Sequence, residues 1–88
     1  MDVGKLVKKA KITKYPVRFD HCFKRIILDQ MFQGVWYDFI KKPAYKHLSE
    51  NQKREFQEKV NLLLEHPEVC FEWNQQSLAW RKEAKCKK

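Results

Sequence analysis

The stretch RFDHCFKRIILD, residues 18–29, sets side chains that could do chemistry among apolar residues. His21, Arg25 and Asp29 recur every four residues, so a helix would align them on one ridge and let Arg25 pair with Asp29. One interpretation is a general acid–base or phosphate-binding cluster. We favour an ion pair between two apolar stripes that fixes helix packing, because such pairs often perturb titrating groups without performing chemistry.

Cysteine nucleophilic chemistry is the next candidate. Cys22 follows His21 directly, but neighbours on a helix point about 100° apart, so His21 is badly placed to accept the Cys22 proton. The chain contains only two glycines, and it has neither a glycine-rich phosphate loop nor a G-x-S-x-G motif. We therefore predict that the protein is not an enzyme and has no catalytic residues.

A metal site would need histidine and cysteine ligands at suitable spacing. His21 and Cys22, together with His66 and Cys70, could supply two of each. Adjacent residues on one helix cannot easily face one ion, however, and the chain has no closely spaced cysteine pair. We expect no metal and no other cofactor, with Cys22 and Cys70 acting as small core residues.

The net charge of +8 is concentrated at the two ends of the chain. Residues 1–18 contain six Lys and Arg against one Asp, and residues 79–88 contain five against one Glu, whereas residues 19–78 carry eight bases and nine acids. Lysine side chains neutralise phosphates without recognising nucleobases, so the basic ends of the chain predict contact with nucleic acid or a nucleoprotein complex. The predicted contact residues are Lys5, Lys8, Lys9, Lys11, Lys14, Arg18, Arg81, Lys82 and Lys85.

Other interpretations of the basic ends stay open. They could be solubilising tails, or they could contact an acidic protein or an anionic membrane surface. Aromatic residues make up 14% of the chain, and a small bundle cannot bury every large ring. We expect Trp80 and Arg81 to be an exposed partner anchor. The predicted partner-binding residues are Arg18, His21, Arg25, Asp29, Trp80 and Arg81.

Helices must position these residues. The first long helix is predicted to begin at Asp20, a favourable N-cap residue, and to run to about Gln33. It is apolar on two sides, so we expect it at the centre of the fold. Gly34 would end or kink it, and VWYDFI would continue as a second helical piece or a bent extension until Pro43.

Two further helices have clear beginnings. Ser49 and Gln52 match a capping box, and Pro67 suits the first position of the last helix. With only two glycines and three prolines, the chain predicts an all-α bundle of three to four helices rather than a β fold. The predicted organisation is a basic arm and extended segment over 1–18, a helical domain over 19–84 and a basic tail over 85–88, with flexible ends.

Length and composition limit the class of protein. Eighty-eight residues allow one domain, and a hydrophobic content of 43% is too high for a disordered chain. No long apolar run follows the basic start, so we expect neither a signal peptide nor a transmembrane segment. Three cysteines without paired spacing indicate free thiols in a reducing, cytoplasmic setting.

Four segments in order carry a resemblance to a known family: YPVRFDHCFKRIILD, WYDFI, PAYKHL and NQQSLAWR. They resemble a small bacterial, cyanobacterial-type family with an Arg-x-Asp-His-Cys-Phe core and a closing Asn-x-x-Ser-Leu-x-Trp-Arg motif. The resemblance covers about residues 15–81 and implies a compact intracellular helical protein, without implying an activity. The lysine-rich ends lie outside this pattern.

The sequence therefore favours a small non-enzymatic protein that contacts nucleic acid or a nucleoprotein complex through its cationic ends, without base specificity. The alternative is a protein-interaction module or inhibitor that docks on an acidic partner protein through an aromatic and arginine patch.

Overall fold

Five α-helices and one 3-10 helix form the part of the chain that the computed structural model describes, residues 2–86. The elements are α1 (Gly4–Lys9), α2 (Asp20–Phe32), the 3-10 helix Trp36–Asp38, α3 (Ala44–His47), α4 (Glu50–Glu65) and α5 (Pro67–Cys86). The all-α prediction is confirmed, with three long helices and two additional short ones. Within these residues, no helix combines the length and the apolar character needed to cross a membrane.

Helix α2 lies at the centre of the fold and contacts α1, α4, α5 and the 3-10 helix. Phe23, Ile26 and Ile27 share one side of the helix and are fully buried, and Leu28, which points away from that side, is buried as well. Because α2 buries apolar side chains on both sides, other helices must cover both. The predicted central position is confirmed, although Phe19, which precedes the helix, is 64% exposed.

The end of α2 differs in detail from the prediction. Gln33, rather than Gly34, takes the left-handed conformation, with φ of 54°. A Cβ atom on Gly34 would lie 3.1 Å from the Phe39 ring, so close approach of this ring is what favours glycine there. VWYDFI forms only the 3-10 helix because the chain turns back toward α2, where the Trp36 amide binds the Asp29 side chain.

Helix α4 begins with the predicted capping box. The Gln52 amide donates to Ser49 Oγ at 3.1 Å, and the Ser49 amide donates to Gln52 Oε1 at 2.8 Å. These bonds satisfy amide groups that have no partner within the helix, which stabilises its first turn by about 1 kcal/mol. Phe56, Val60 and Leu63 then form the buried face.

Helix α5 begins at Pro67, as predicted, and runs for 20 residues. Its fully buried positions are Cys70 and Ser77, which lie two turns apart on one face. Phe71 and Leu78 point away from this face and are 37% and 52% exposed. The face of α5 that meets α2 is therefore lined partly by small and polar residues rather than by large apolar ones.

The N-terminal segment is part of the folded core. Val3 and Leu6 are buried, and α1 packs against both α2 and α4. Lys9 Nζ donates to the Leu64 carbonyl, and Tyr15 Oη donates to the Leu63 carbonyl at 2.8 Å. The sequence predicts a flexible arm here; the structure differs because Val3 and Leu6 supply apolar side chains to a core that α2 and α4 leave open on this side.

Candidate functional site

A buried carboxylate, that of Asp29, lies where α2 meets α5 and the 3-10 helix. Its side chain has no exposed surface. Oδ2 accepts hydrogen bonds from Ser77 Oγ at 2.6 Å and Arg81 Nε at 2.9 Å. Oδ1 accepts from the Trp36 amide at 3.1 Å and from Arg81 Nη2 at 3.3 Å. Both carboxylate oxygens are therefore occupied by donors, as a buried charge requires.

Arg25 reaches the same cluster from α2. Its Nη1 donates to Ser77 Oγ at 3.1 Å and its Nη2 donates to Asn74 Oδ1 at 2.7 Å. The Ser77 hydroxyl thus accepts from Arg25 and donates to Asp29. The predicted direct pairing of Arg25 with Asp29 is wrong, because Arg81 occupies the carboxylate and Ser77 stands between the two.

The cluster contains two guanidinium groups and one carboxylate. Asp29 pairs with Arg81, so the charge of Arg25 is not balanced by a carboxylate of its own. Burial lowers the pKa of Arg25 below its ordinary value, and repulsion from Arg81 lowers that pKa further. Arg25 is therefore a half-buried cation held in place by neutral partners.

His21 does not join this cluster. Its side chain is 78% exposed and stacks on the Phe19 ring, with centroids 5.8 Å apart, and its Nδ1 lies 3.8 Å from Asp20 Oδ1. In the part of the chain that the structure describes, His21 forms no hydrogen bond or ion pair with Arg25 or Asp29, so the acid–base cluster that their spacing suggests does not form. The alternative interpretation, polar groups that join helices, describes Arg25 and Asp29.

The Trp80 and Arg81 pair is not an exposed anchor. The Arg81 guanidinium turns inward to Asp29, and its Nη1 lies 3.4 Å from Tyr37 Oη. Trp80 is half-buried. Asp29, with its side chain fully buried, cannot contact a partner either. The sequence prediction is wrong on these points because the carboxylate partner of Arg81 is 52 residues away in the chain.

Two members of the cluster, Asn74 and Ser77, were absent from the sequence prediction. With Arg81 they follow a spacing of three and four residues, which places all three on one face of α5. A polar stripe of this spacing beside Trp73, Leu78 and Trp80 is the signal that could have identified them.

The predicted phosphate contacts differ in their exposure. Lys9 is half-buried and donates to a carbonyl, and Arg81 is engaged by Asp29. The exposed ones are Lys5, Lys8, Lys11, Lys14, Arg18 and Lys82. Among the described residues, none of these six forms an ion pair. The Lys85 side chain lies outside the part that the structure describes.

The cysteine and histidine residues do not assemble into a ligand set. Across the described residues, no group of three His, Cys, Asp or Glu side chains is placed to hold a metal ion. His66 Nδ1 lies 3.1 Å from Glu68 Oε1. Burial raises the pKa of the Cys70 thiol to about 12, so this thiol stays protonated and is a poor ligand or nucleophile at neutral pH.

An open cleft of about 670 Å³ lies beside the cluster, between α2 and the segment from the 3-10 helix to α3. Four of its lining side chains are basic, and the others are apolar or aromatic; none of the lining residues is acidic. The basic residues are His21, Lys24, Arg25 and Lys42, and the aromatic residues are Trp36 and Tyr45. The cleft was not foreseen from the sequence, because it depends on how the segment after α2 folds back.

The chain matches no protein-family model, no curated protein and no solved structure among those compared with it.

Geometry and charge therefore define what the site can do. The Asp29 cluster has its donors and acceptors paired with each other, which suits helix packing rather than chemistry. The surface features that remain are the exposed Lys and Arg side chains of the terminal segments and the basic cleft. The positive charge of both favours an anionic ligand.

Proposed function

We propose that the protein is a small non-enzymatic protein that contacts nucleic acid, alone or in a nucleoprotein complex, through phosphate groups and without base specificity. The observation that carries the proposal is the set of exposed Lys and Arg side chains in residues 1–18, a segment with one acidic residue. Exposed Lys and Arg without carboxylate partners are free to replace counterions along a phosphate backbone.

The packed N-terminal segment strengthens this proposal. Lys5 and Lys8 project from α1, whose Leu6 is buried against the body of the protein. Their positions are therefore fixed relative to the fold, and less conformational entropy is lost on binding than with a disordered tail. Contacts of this kind position a protein on nucleic acid but carry no sequence information.

The non-enzymatic part of the proposal rests on the titratable groups. Asp29 is buried with both oxygens bonded, and Cys70 is a buried thiol whose pKa is raised by burial. His21 is exposed, and the carboxylate nearest to it is its neighbour Asp20. These groups lack the mutual geometry of a nucleophile and its base.

The family resemblance fits a structural role for the shared residues. Arg25 and Asp29 belong to the first motif, Trp36 to the second, and Ser77 and Arg81 to the closing motif; all five belong to the Asp29 cluster. We propose that these motifs maintain the fold, and that ligand contacts lie on the surface outside the cluster.

An acidic protein partner is the second candidate. The specific observation is a surface with exposed aromatic residues and lysines between residues 37 and 46, where Tyr37, Phe39 and Tyr45 are 42%, 58% and 58% exposed. This surface replaces the patch around Trp80 and Arg81 that the sequence suggested, since Arg81 faces inward.

The test is fluorescence anisotropy with labelled single-stranded and duplex DNA and RNA over a range of salt concentrations. The double variant Lys5→Gln/Lys8→Gln should weaken binding to all sequences alike. It should also reduce the slope of log K against log salt on duplex DNA by about 0.9 for each phosphate contact removed. Deleting residues 1–14 would be unsuitable, because it removes Val3 and Leu6 from the core.

The matched control is Lys53→Gln/Arg54→Gln, which removes the same charge from exposed positions on α4. It should leave the salt slope close to that of the wild type. Equal effects of the two double variants would reject the N-terminal segment as the contact surface. Absence of binding near physiological salt would overturn the nucleic-acid proposal and direct attention to an acidic protein.

A further inference from the structure

The cleft beside the Asp29 cluster has the dimensions of a ligand site. Its volume of about 670 Å³ lies within the range of roughly 300–1,000 Å³ that is typical of small-molecule and cofactor pockets. Leu28, Pro43 and Ala44 give it apolar walls. Such a volume accommodates a group as large as a nucleotide.

The charges around the cleft are of one sign. Lys24, Arg25 and Lys42 line it, no acidic residue does, and His21 would add a further charge when protonated. Arg25 is the informative member, because its neighbour Arg81 takes the carboxylate and leaves Arg25 with two neutral partners. The lowered pKa of Arg25 reflects burial and this repulsion, and the opposite charge of an anion in the cleft would stabilise the guanidinium against both.

The aromatic rings of the cleft provide surfaces for a flat group. Tyr45 on α3 is 58% exposed, and Trp36 is half-buried at the start of the 3-10 helix. An exposed ring beside cations is the arrangement with which proteins bind unpaired bases, since stacking accepts any base and the cations hold the backbone.

We propose that this cleft binds one nucleotide unit of a single-stranded nucleic acid, with the base against Tyr45 and the phosphate among Lys24, Arg25 and Lys42. The inference rests on the proposed nucleic-acid function and deepens it by assigning a preference for single strands. Bases within a duplex are already stacked and paired, so they cannot enter the cleft without disrupting the duplex.

Anisotropy with a labelled oligothymidylate and with a matched duplex tests the stacking contact. Tyr45→Ala should weaken binding of the single strand about tenfold, because loss of one base–aromatic stack has an effect of this size. Binding of the duplex should be unchanged. The control is Phe71→Ala, which removes a partly exposed ring on α5 away from the cleft and should change neither affinity.

A charge reversal tests the phosphate contact. Lys42→Glu should weaken single-strand binding several-fold more than Lys46→Glu, although the two variants change the net charge equally and their sites are four residues apart. Lys42 lines the cleft and Lys46 does not. The indole N–H resonance of Trp36, assigned with Trp36→Phe, should shift in NMR spectra on addition of oligothymidylate. In Tyr45→Ala the same shift should require about ten times more oligothymidylate.

The outcomes separate this inference from the proposed function. If both nucleic acids bind and the cleft variants behave like their controls, the cleft assignment is overturned. The exposed Lys and Arg side chains of the terminal segments then remain the proposed contacts. If neither binds, both proposals fall. If free thymidine monophosphate binds as tightly as the oligothymidylate, the cleft is a mononucleotide site and the assignment to a strand is rejected.

Discussion

At the scale of single residues, Asp29 is tightly constrained by burial and hydrogen bonding. Its carboxylate accepts four hydrogen bonds from three residues on two other elements, α5 and the 3-10 helix. A buried charge that is fully bonded contributes less to stability than to the choice of one arrangement, because any other packing would leave it unpaired. The orientation of α5 on α2 is therefore set by polar contacts as well as by apolar ones.

Replacing this carboxylate tests its contribution. Asp29→Asn should lower the free energy of unfolding by about 3–5 kcal/mol, since it leaves the Arg81 guanidinium without its anion and turns an amide N–H₂ toward hydrogen-bond donors. Urea denaturation followed by circular dichroism measures the change. The control Asp38→Asn, at an exposed position of the 3-10 helix, should change stability little. A similar small effect at Asp29 would contradict the description of the cluster.

Cys70 gives the protein a dependence on alkaline pH. Its thiol pKa is raised by burial from 9.0 to about 12, so between about pH 9 and pH 12 the unfolded chain loses a proton that the folded chain keeps. The contribution of Cys70 to stability is complete below pH 9. It falls by about 1.4 kcal/mol per pH unit as the pH rises through this window.

Chemical denaturation between pH 8 and pH 10 checks this slope, because those pH values bracket the ordinary pKa of a thiol. Tyr15 interferes little in this range, since its pKa is raised above the ordinary value for tyrosine. Cys70→Ala should flatten the loss of stability above pH 9. Val60→Ala creates a cavity at another buried position, so it should lower stability while keeping the wild-type dependence of stability on pH. A slope unchanged by Cys70→Ala would show that another group causes it.

The residues of the site could be predicted only in part from the sequence. Arg25 and Asp29 were predicted to join helices, because charged residues in apolar helices need partners, whereas Arg81 was expected to be an exposed anchor. Their pairing was not predictable, since Asp29 and Arg81 lie 52 positions apart and helical spacing reports only on neighbours within one helix. The cleft also depends on contacts between distant segments.

At the scale of elements, α1 shows how packing can override composition. The helix has six residues, and an isolated helix of this length would not form in water. Leu6 is fully buried and Val3 nearly so, so contact with α2 and α4 supplies the stability that the segment lacks by itself.

Truncation of Leu6 measures that contact. Leu6→Ala should lower the free energy of unfolding by about 2–5 kcal/mol, through lost burial and the cavity left behind. Ile12→Ala is a suitable control, because Ile12 lies just beyond α1 and is 87% exposed; its effect should stay within about 0.5 kcal/mol. Equal midpoints of urea denaturation for the two variants would contradict the packing of α1.

The elements differ in how well local sequence specifies them. Helix α4 was predicted well because Ser49 and Gln52 determine its start through contacts only three residues apart. Helix α5 likewise starts at Pro67. By contrast, α1 and the 3-10 helix owe their conformation to partners elsewhere in the chain. Charge alone therefore indicated a flexible arm where α1 forms, and helix propensity indicated a longer helix where the 3-10 helix forms.

At the scale of the whole molecule, the two basic ends are joined to one body of nearly balanced charge. Both α1 and α5 contact α2, so the exposed Lys5 and Lys8 on α1 and the exposed Lys82 on α5 belong to helices that pack on the same central helix. The longest dimension of the fold is 39 Å, which corresponds to about eleven base pairs at 3.4 Å each. Under the proposed nucleic-acid function, a monomer would cover about one turn of duplex, or a comparable length of extended strand.

The distance in sequence between Asp29 and its partners also bears on synthesis of the protein. A nascent chain emerges from the ribosome with α2 well before Ser77 and Arg81, whose side chains satisfy Asp29. Until those residues emerge, burial of α2 would leave a charge unpaired, which is strongly unfavourable. The chain should therefore complete its fold only after residue 81 has been translated and released from the tunnel.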